Sequence, residues 1–178
     1  DVIALMDHRS IPVADLWGYS RGGFIVASLL VRRPERFRSA ILSGVGDGLL
    51  SGGRSRQNAE AIARALEAES ASTAENATAR AFRMFAEQSG NDLQALAAIQ
   101  RSSRGGFDPA KLRENRLPVL VLIGENDTLV GPADGIAAAI PGAKLAKVPG
   151  DHITAVLSPG FTEAALAFLA EHSPAGGQ

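Results

Sequence analysis

Residues 14–33 read ADLWGYSRGGFIVASLLVRR and carry the clearest indication of the fold. The first six residues are mostly apolar and have the length of a short strand. Residues 21–33 are apolar on most sides and stop at Pro34, as a buried helix does before a proline. Because a helix buried in this way needs a sheet beneath it, the stretch predicts a strand, a tight turn and a helix of an α/β protein.

The turn itself, Gly18-Tyr19-Ser20-Arg21-Gly22, matches the G-x-S-x-G pattern of a nucleophile elbow. The sharp change of direction predicts that Gly18 and Gly22 let the helix approach the strand, and that Ser20 is presented as a nucleophile. The backbone N–H of Arg21, at the start of the helix, is a candidate donor to a developing oxyanion. A chance glycine–serine turn is the alternative, which the strand before the motif and the helix after it disfavour.

The rest of the chain alternates strands and helices around one helical segment. Strand patterns lie at 38–44, 117–123 and 143–148, and helical patterns at 1–9, 133–140 and 161–172. Residues 51–106 are rich in Ala, Glu and Arg and poor in β-branched residues, which predicts a helical cap inserted into the fold. We therefore expect an α/β core formed by 1–50 and 107–172, with a mostly parallel sheet and flanking helices, and a flexible tail at 173–178.

A serine nucleophile needs a base, normally a histidine, and the chain has three. His8 and His172 lie in the first and last helical segments, where a solvated surface role is the simpler interpretation. His152 follows the strand at 143–148 through a Pro-Gly-Asp turn, on the edge of the sheet to which Ser20 belongs. His152 is therefore the predicted base.

An acid must orient that histidine, and two carboxylates follow the apolar strand at 117–123. Asp127 is the first choice, and Glu125, which is closer to the strand, is the second. Asp151 adjoins His152 and is expected to cap a turn. The order Ser20, Asp127, His152 along the chain is the one described for α/β-hydrolases.

Three segments together resemble the carboxyl-terminal part of an α/β-hydrolase: GYSRGG, PVLVLIGENDTLV and PGDH. The resemblance covers nearly all of the chain. It implies a mostly parallel, eight-stranded sheet, with Ser20 as nucleophile, Asp127 as acid, His152 as base and the N–H of Arg21 as one oxyanion donor. It also implies that residues 51–106 form the cap over the substrate pocket.

The same resemblance predicts an incomplete core. In that family the first strands and the second oxyanion donor precede the elbow, whereas here Ser20 follows only 19 residues. The interpretation is that strands 5–8 of the family are present and that the strand at 14–19 exposes an apolar edge, through which the chain could self-associate. We expect the 178-residue chain alone to be poorly active.

Composition narrows the classes of function. The net charge is −1, with 18 basic and 19 acidic residues, so a nucleic-acid partner is not expected. Apolar stretches are too short to predict a membrane span, and a triad needs neither a metal nor an organic cofactor. A small-molecule substrate with an ester-like carbonyl is predicted. The absence of Cys fits a cytoplasmic location and also fits many exported proteins.

Several alternatives remain open at this stage. The same fold supports perhydrolase, C–C hydrolase and acyltransferase chemistry, and also non-catalytic modules. Nucleotide binding at Gly44-x-Gly46-x-Gly48 is disfavoured, because Leu49 occupies the position of the third glycine that the dinucleotide-binding pattern requires, and Asp47 would repel a phosphate.

The helical segment offers two further sets of candidates. Its large apolar residues could line an acyl pocket, although their helical spacing favours packing within the segment: Phe82, Met84, Phe85, Leu93 and Leu96. Its arginines could meet a substrate carboxylate, although a solvated face is the simpler interpretation: Arg80, Arg83 and Arg101. The spacing of Ser72 and Glu75 predicts a capping box, and Trp17 is expected in the core.

Overall fold

A computed structural model of the chain describes residues 1–50, 56–102 and 108–172. The chain divides into two compact units, one formed by Asp1–Gly52 and Phe107–Gln178, the other by Gly53–Gly106. The predicted tail at 173–178 and parts of both predicted boundaries of the cap, at 51–55 and 103–107, lie outside the described residues.

The described elements follow the predicted alternation. The strands are β1 (Ala14–Tyr19), β2 (Phe37–Ser43), β3 (Val119–Gly124) and β4 (Lys144–Val148). The helices are α1 (Val2–His8), α2 (Arg21–Arg32), α3 (Arg56–Glu67), α4 (Ala77–Gln88), α5 (Leu93–Arg101), α6 (Asp134–Ala139) and α7 (Pro159–His172). None of the helices in the described ranges is long and apolar enough to cross a membrane.

The four strands form one parallel sheet in the order β1-β2-β3-β4. Each connection between neighbouring strands passes through at least one helix, as parallel pairing requires. The α/β class and the parallel sheet with flanking helices are therefore confirmed, and the sheet of the described residues has four strands. All four strands end at the same edge of the sheet, which places the loops that follow them side by side.

The two faces of the sheet carry separate apolar clusters, since successive side chains of a strand point to opposite faces. On one face Val121 and Leu42 pack with Leu30 of α2 and Ile136 of α6. On the other face, residues of β2 and β3 pack with α7: Ile41, Leu122, Phe161 and Phe168. Both faces of β3 are covered, which explains why its sequence is continuously apolar.

The expectation that Trp17 belongs to the core is wrong. The residue is 44% exposed, because β1 is an edge strand of the described sheet. The indole is nevertheless fixed: its N–H donates to Ser43 Oγ at 2.9 Å, and the ring stacks on Phe161 with centroids 6.2 Å apart. Self-association through the β1 edge stays a prediction.

In the second unit, α3, α4 and α5 pack around an alanine-rich core that includes Ile62 and Leu66. Three of the five large apolar candidates pack against it, namely Phe82, Leu93 and Leu96, whereas Met84 and Phe85 are exposed. The predicted capping box is wrong, because Asn76 caps α4 by accepting a hydrogen bond from the N–H of Ala79. Asn is a strong cap residue in its own right and needs no reciprocal Glu.

The expectation of a solvated face is also wrong for Arg83. Its guanidinium is buried and donates to the carbonyls of Ala65, Leu66 and Ala68, which closes the carboxyl end of α3. Arg101 is paired with Glu60 and Glu67, whereas Arg80 is exposed. The role of Arg83 is therefore structural, and it is not available to a substrate carboxylate.

Candidate active site

Three of the predicted site residues lie together at the carboxyl edge of the sheet. Ser20 directly follows β1, Asp127 lies in the loop after β3, and His152 lies in the loop after β4. Because the strands are parallel, residues far apart in sequence meet at this edge. The structure brings these three residues together.

Ser20 lies in a strained turn between β1 and α2. Its backbone has φ 53° and ψ −112°, and its N–H donates to the carbonyl of Ser43 at 2.8 Å. A non-glycine residue with positive φ costs about 1–3 kcal/mol, which the surrounding packing must hold. Among the described residues the other non-glycine with positive φ is Ser10, which lies after α1 at φ 53°.

Glycines allow the helix to lie close to the strand, but not both of the predicted ones. A Cβ on Gly18 would lie 2.3 Å from the carbonyl oxygen of Gly22, and one on Gly23 would lie 2.3 Å from Val45 Cγ2. A Cβ on Gly22 would meet nothing within 4 Å among the described atoms. The steric requirement predicted for Gly22 is therefore wrong within the described residues, and Gly23 carries it together with Gly18.

Because a Cβ has room at Gly22 but not at Gly18, alanine substitutions at these two positions form a matched pair of variants. Gly18→Ala is expected to destabilise the fold by about 3 kcal/mol or more, because the new methyl group would overlap backbone atoms that cannot turn away. Gly22→Ala is expected to be neutral or to stabilise α2 by about 0.5–1 kcal/mol, since alanine is the better helix former. Chemical denaturation of the two variants and the unmodified chain measures both effects. Equal loss in the two variants would contradict the packing described for the elbow.

The side chains of Ser20, His152 and Asp127 form one chain of hydrogen-bond contacts. The distance from Ser20 Oγ to His152 Nε2 is 2.9 Å, and that from His152 Nδ1 to Asp127 Oδ2 is 2.7 Å. The Asp127 side chain is fully buried and that of His152 is 8% exposed. An ionised carboxylate can only accept, so the proton of the neutral imidazole lies on Nδ1 and leaves Nε2 as the acceptor for the serine hydroxyl.

The second oxygen of Asp127 is also occupied. Oδ1 accepts hydrogen bonds from the backbone N–H groups of Leu129, at 3.2 Å, and Val130, at 3.3 Å. These two donors fix the plane of the carboxylate and direct Oδ2 at the histidine. The buried charge is thus balanced by three donors, which burial of a carboxylate requires.

The loops that carry Asp127 and His152 are joined by backbone contacts. The N–H of Glu125 donates to the carbonyl of Val148 at 2.8 Å, and that of Asn126 donates to the carbonyl of Gly150 at 3.0 Å. Gly124 allows this approach, because a Cβ there would lie 2.4 Å from Gly150 O. The signal for this junction in the sequence is a pair of glycines, Gly124 at the end of β3 and Gly150 in the loop after β4.

Tyr19, the residue before Ser20, also contacts the loop of His152. Its hydroxyl donates to the backbone carbonyl of His152 at 2.5 Å, and the two ring centroids are 5.3 Å apart. Burial, together with the negative charges of Asp127 and Asp151, raises the pKa of Tyr19 to about 12. The phenol therefore stays protonated, and remains a donor, well into the alkaline range.

The other sequence candidates lie apart from these contacts or have structural roles. Asp151 caps the turn, as expected: it accepts from the N–H groups of Ile153 and Thr154, and the hydrogen bonds from Thr154 hold the pKa of its carboxyl below the usual range. Glu125 and His8 are exposed. The ring of His172 packs on Phe168, with centroids 4.6 Å apart.

The glycine loop after β2 packs against the loop before α6. A Cβ on Gly46 would lie 2.3 Å from the carbonyl oxygen of Val130, and Asp47 Oδ1 accepts the N–H of Ile136 at 2.7 Å. The close approach gives Gly46 a packing role, in place of the phosphate cradle that the sequence pattern disfavoured. Within the described residues, no group of three or more His, Cys, Asp or Glu side chains is arranged to hold a metal ion.

Comparisons with known proteins agree with this architecture. No protein-family model matches the chain, and no curated protein matches it. Among solved structures, a hydrolase from Pseudomonas aeruginosa is 27% identical, with a TM-score of 0.69 over 95% of this chain and 69% of that one. An enol-lactonase from Burkholderia xenovorans is 22% identical, with a TM-score of 0.68 over 96% of this chain and 70% of that one. An esterase from Exiguobacterium antarcticum is 17% identical, with a TM-score of 0.71 over 96% and 71%.

The chain has the fold of the α/β-hydrolases and spans about 70% of the length of the similar structures. At a coarse level, the same comparisons support a hydrolase.

Proposed function

We propose that this chain is the catalytic part of a serine hydrolase that cleaves an ester-like carbonyl of a small molecule through an acyl-enzyme. The observation that carries the proposal is the continuous contact from Ser20 Oγ to His152 and from His152 to the buried Asp127. A serine hydroxyl is a weak nucleophile near neutral pH, and a neutral imidazole at 2.9 Å is positioned to take its proton.

In the first step, Ser20 Oγ attacks the carbonyl carbon while its proton moves to His152 Nε2. The imidazolium that forms is stabilised by the carboxylate of Asp127, which stays ionised. The backbone N–H of Arg21, at the start of α2, is the proposed donor to the oxyanion, where the positive end of the helix dipole favours negative charge. His152 then gives its proton to the leaving alcohol.

In the second step, His152 takes a proton from water, the resulting hydroxide attacks the acyl-enzyme, and the proton returns to Ser20 as the acid product leaves. This cycle uses side chains and backbone of the protein and requires no metal or organic cofactor. The helical unit at Gly53–Gly106 is proposed to be the cap domain of the hydrolase.

Covalent labelling tests the proposal. We expect a fluorophosphonate probe to modify the chain once, with the label mapped by peptide mass spectrometry to the peptide that contains Ser20. Labelling needs one covalent event per molecule and is therefore detectable even where turnover is slow. Absence of the label from folded protein after prolonged incubation would overturn the proposal, as would labelling spread over several exposed serines.

A further inference from the structure

We propose that Tyr19 is a positioning residue for the reaction, which holds the imidazole of His152 in line with Ser20. The inference rests on the proposed function of Ser20 and His152. It assigns a specific task to the variable position that precedes the serine of the elbow.

The hydroxyl of Tyr19 links the strand of the nucleophile to the loop of the base. It donates at 2.5 Å to the backbone carbonyl of His152, the residue whose side chain contacts Ser20 Oγ at 2.9 Å. Tyr19 and Ser20 are neighbours in sequence, so one short segment holds both the backbone and the imidazole of His152. Among the described residues, the hydroxyl of Tyr19 makes the one hydrogen bond that ties the carbonyl of His152 to β1.

The ring of Tyr19 is itself held in place and lies against the imidazole of His152. It packs edge-on against Phe161 of α7, with centroids 5.8 Å apart, and lies 5.3 Å from the ring of His152. Gly44, at φ 58°, lies close to both rings. A Cβ on Gly44 would lie 2.9 Å from Tyr19 Cζ and 3.2 Å from His152 Cε1. These contacts lie on the imidazole, whereas the hydroxyl of Tyr19 holds the backbone of residue 152 that carries it.

Loss of the hydroxyl would free the loop while leaving the ring in its place. A loop that moves lowers the fraction of molecules in which Nε2 faces Ser20, which lowers kcat and leaves substrate affinity unchanged. The expected fall in kcat for Tyr19→Phe is about 3- to 10-fold, the effect of one uncharged hydrogen bond, with KM within about twofold of the original value.

The test compares Tyr19→Phe with Ser39→Ala. The control also removes a side-chain hydrogen bond between β2 and β1, from Ser39 Oγ to Asp15 Oδ1 at 2.8 Å, but lies toward the opposite end of the strands from Ser20. Hydrolysis of a p-nitrophenyl ester gives kcat and KM, and thermal unfolding shows that both variants are folded. The downfield proton resonance of the His152–Asp127 hydrogen bond reports the order of the imidazole directly.

We expect that resonance to broaden and kcat to fall in Tyr19→Phe, with both unchanged in Ser39→Ala. An unchanged resonance and kcat in folded Tyr19→Phe would overturn the positioning role even if Ser20 is labelled by a fluorophosphonate. Conversely, an unmodified chain that is never labelled at Ser20 refutes the proposed function, and the resonance still decides whether Tyr19 orders the imidazole.

Discussion

Ser20→Ala is expected to abolish fluorophosphonate labelling and to lower ester turnover by at least about 10,000-fold, because the nucleophile and its acyl-enzyme are lost together. The fold is expected to persist. The Oγ atom makes one described contact, with His152, and the backbone N–H of residue 20 would still donate to the carbonyl of Ser43.

Ser10→Ala is the matched control for this variant. Ser10, like Ser20, is a non-glycine residue with a φ of 53°, so this variant replaces a serine at positive φ away from the site. Ser10 lies after α1 and is exposed, and no described contact joins it to His152. We expect Ser10→Ala to keep the full labelling rate, and a parallel loss in both variants would mean that backbone strain, not the hydroxyl, accounts for the effect.

The contacts around His152 could be predicted in outline because parallel strands end at one edge. Once 14–19, 117–123 and 143–148 are interpreted as parallel strands, Ser20, Asp127 and His152 are expected on loops at the same edge of the sheet. The choice between Asp127 and Glu125 was not decided by that argument. It depends on the turn, since the N–H groups of residues 129 and 130 hold Asp127 inward, while Glu125 is exposed.

The structural features that the sequence did not predict depend on contacts between residues that are far apart in the chain. The pattern around Gly22 suggested a close approach, but whether a Cβ has room depends on atoms from elsewhere in the fold. Trp17 is apolar and adjacent to the elbow, yet its exposure follows from the edge position of β1. The contact of Tyr19 with His152 joins residues 133 apart, a separation that local periodicity does not encode.

Asp127→Asn is expected to lower kcat by about 10,000-fold while leaving the fold intact, and the reason lies in the two turn amides. The N–H groups of Leu129 and Val130 must be met by an acceptor, so the carbonyl oxygen of the new side-chain amide is expected to replace Oδ1 and its NH2 group to replace Oδ2. An N–H would then point at His152 Nδ1. That arrangement moves the imidazole proton to Nε2, which can no longer accept the proton of Ser20.

Glu125→Gln is the control for this last variant, because it makes the same isosteric change in the second acid candidate, which is exposed. Steady-state hydrolysis measures the loss, and nitrogen NMR of His152 reports which ring nitrogen carries the proton. We expect a proton on Nδ1 in Glu125→Gln, with turnover kept, and a proton on Nε2 in Asp127→Asn. Retention of turnover in Asp127→Asn with loss in Glu125→Gln would transfer the role of the acid to Glu125, whereas loss of activity with the proton still on Nδ1 would rule out the tautomer as the cause.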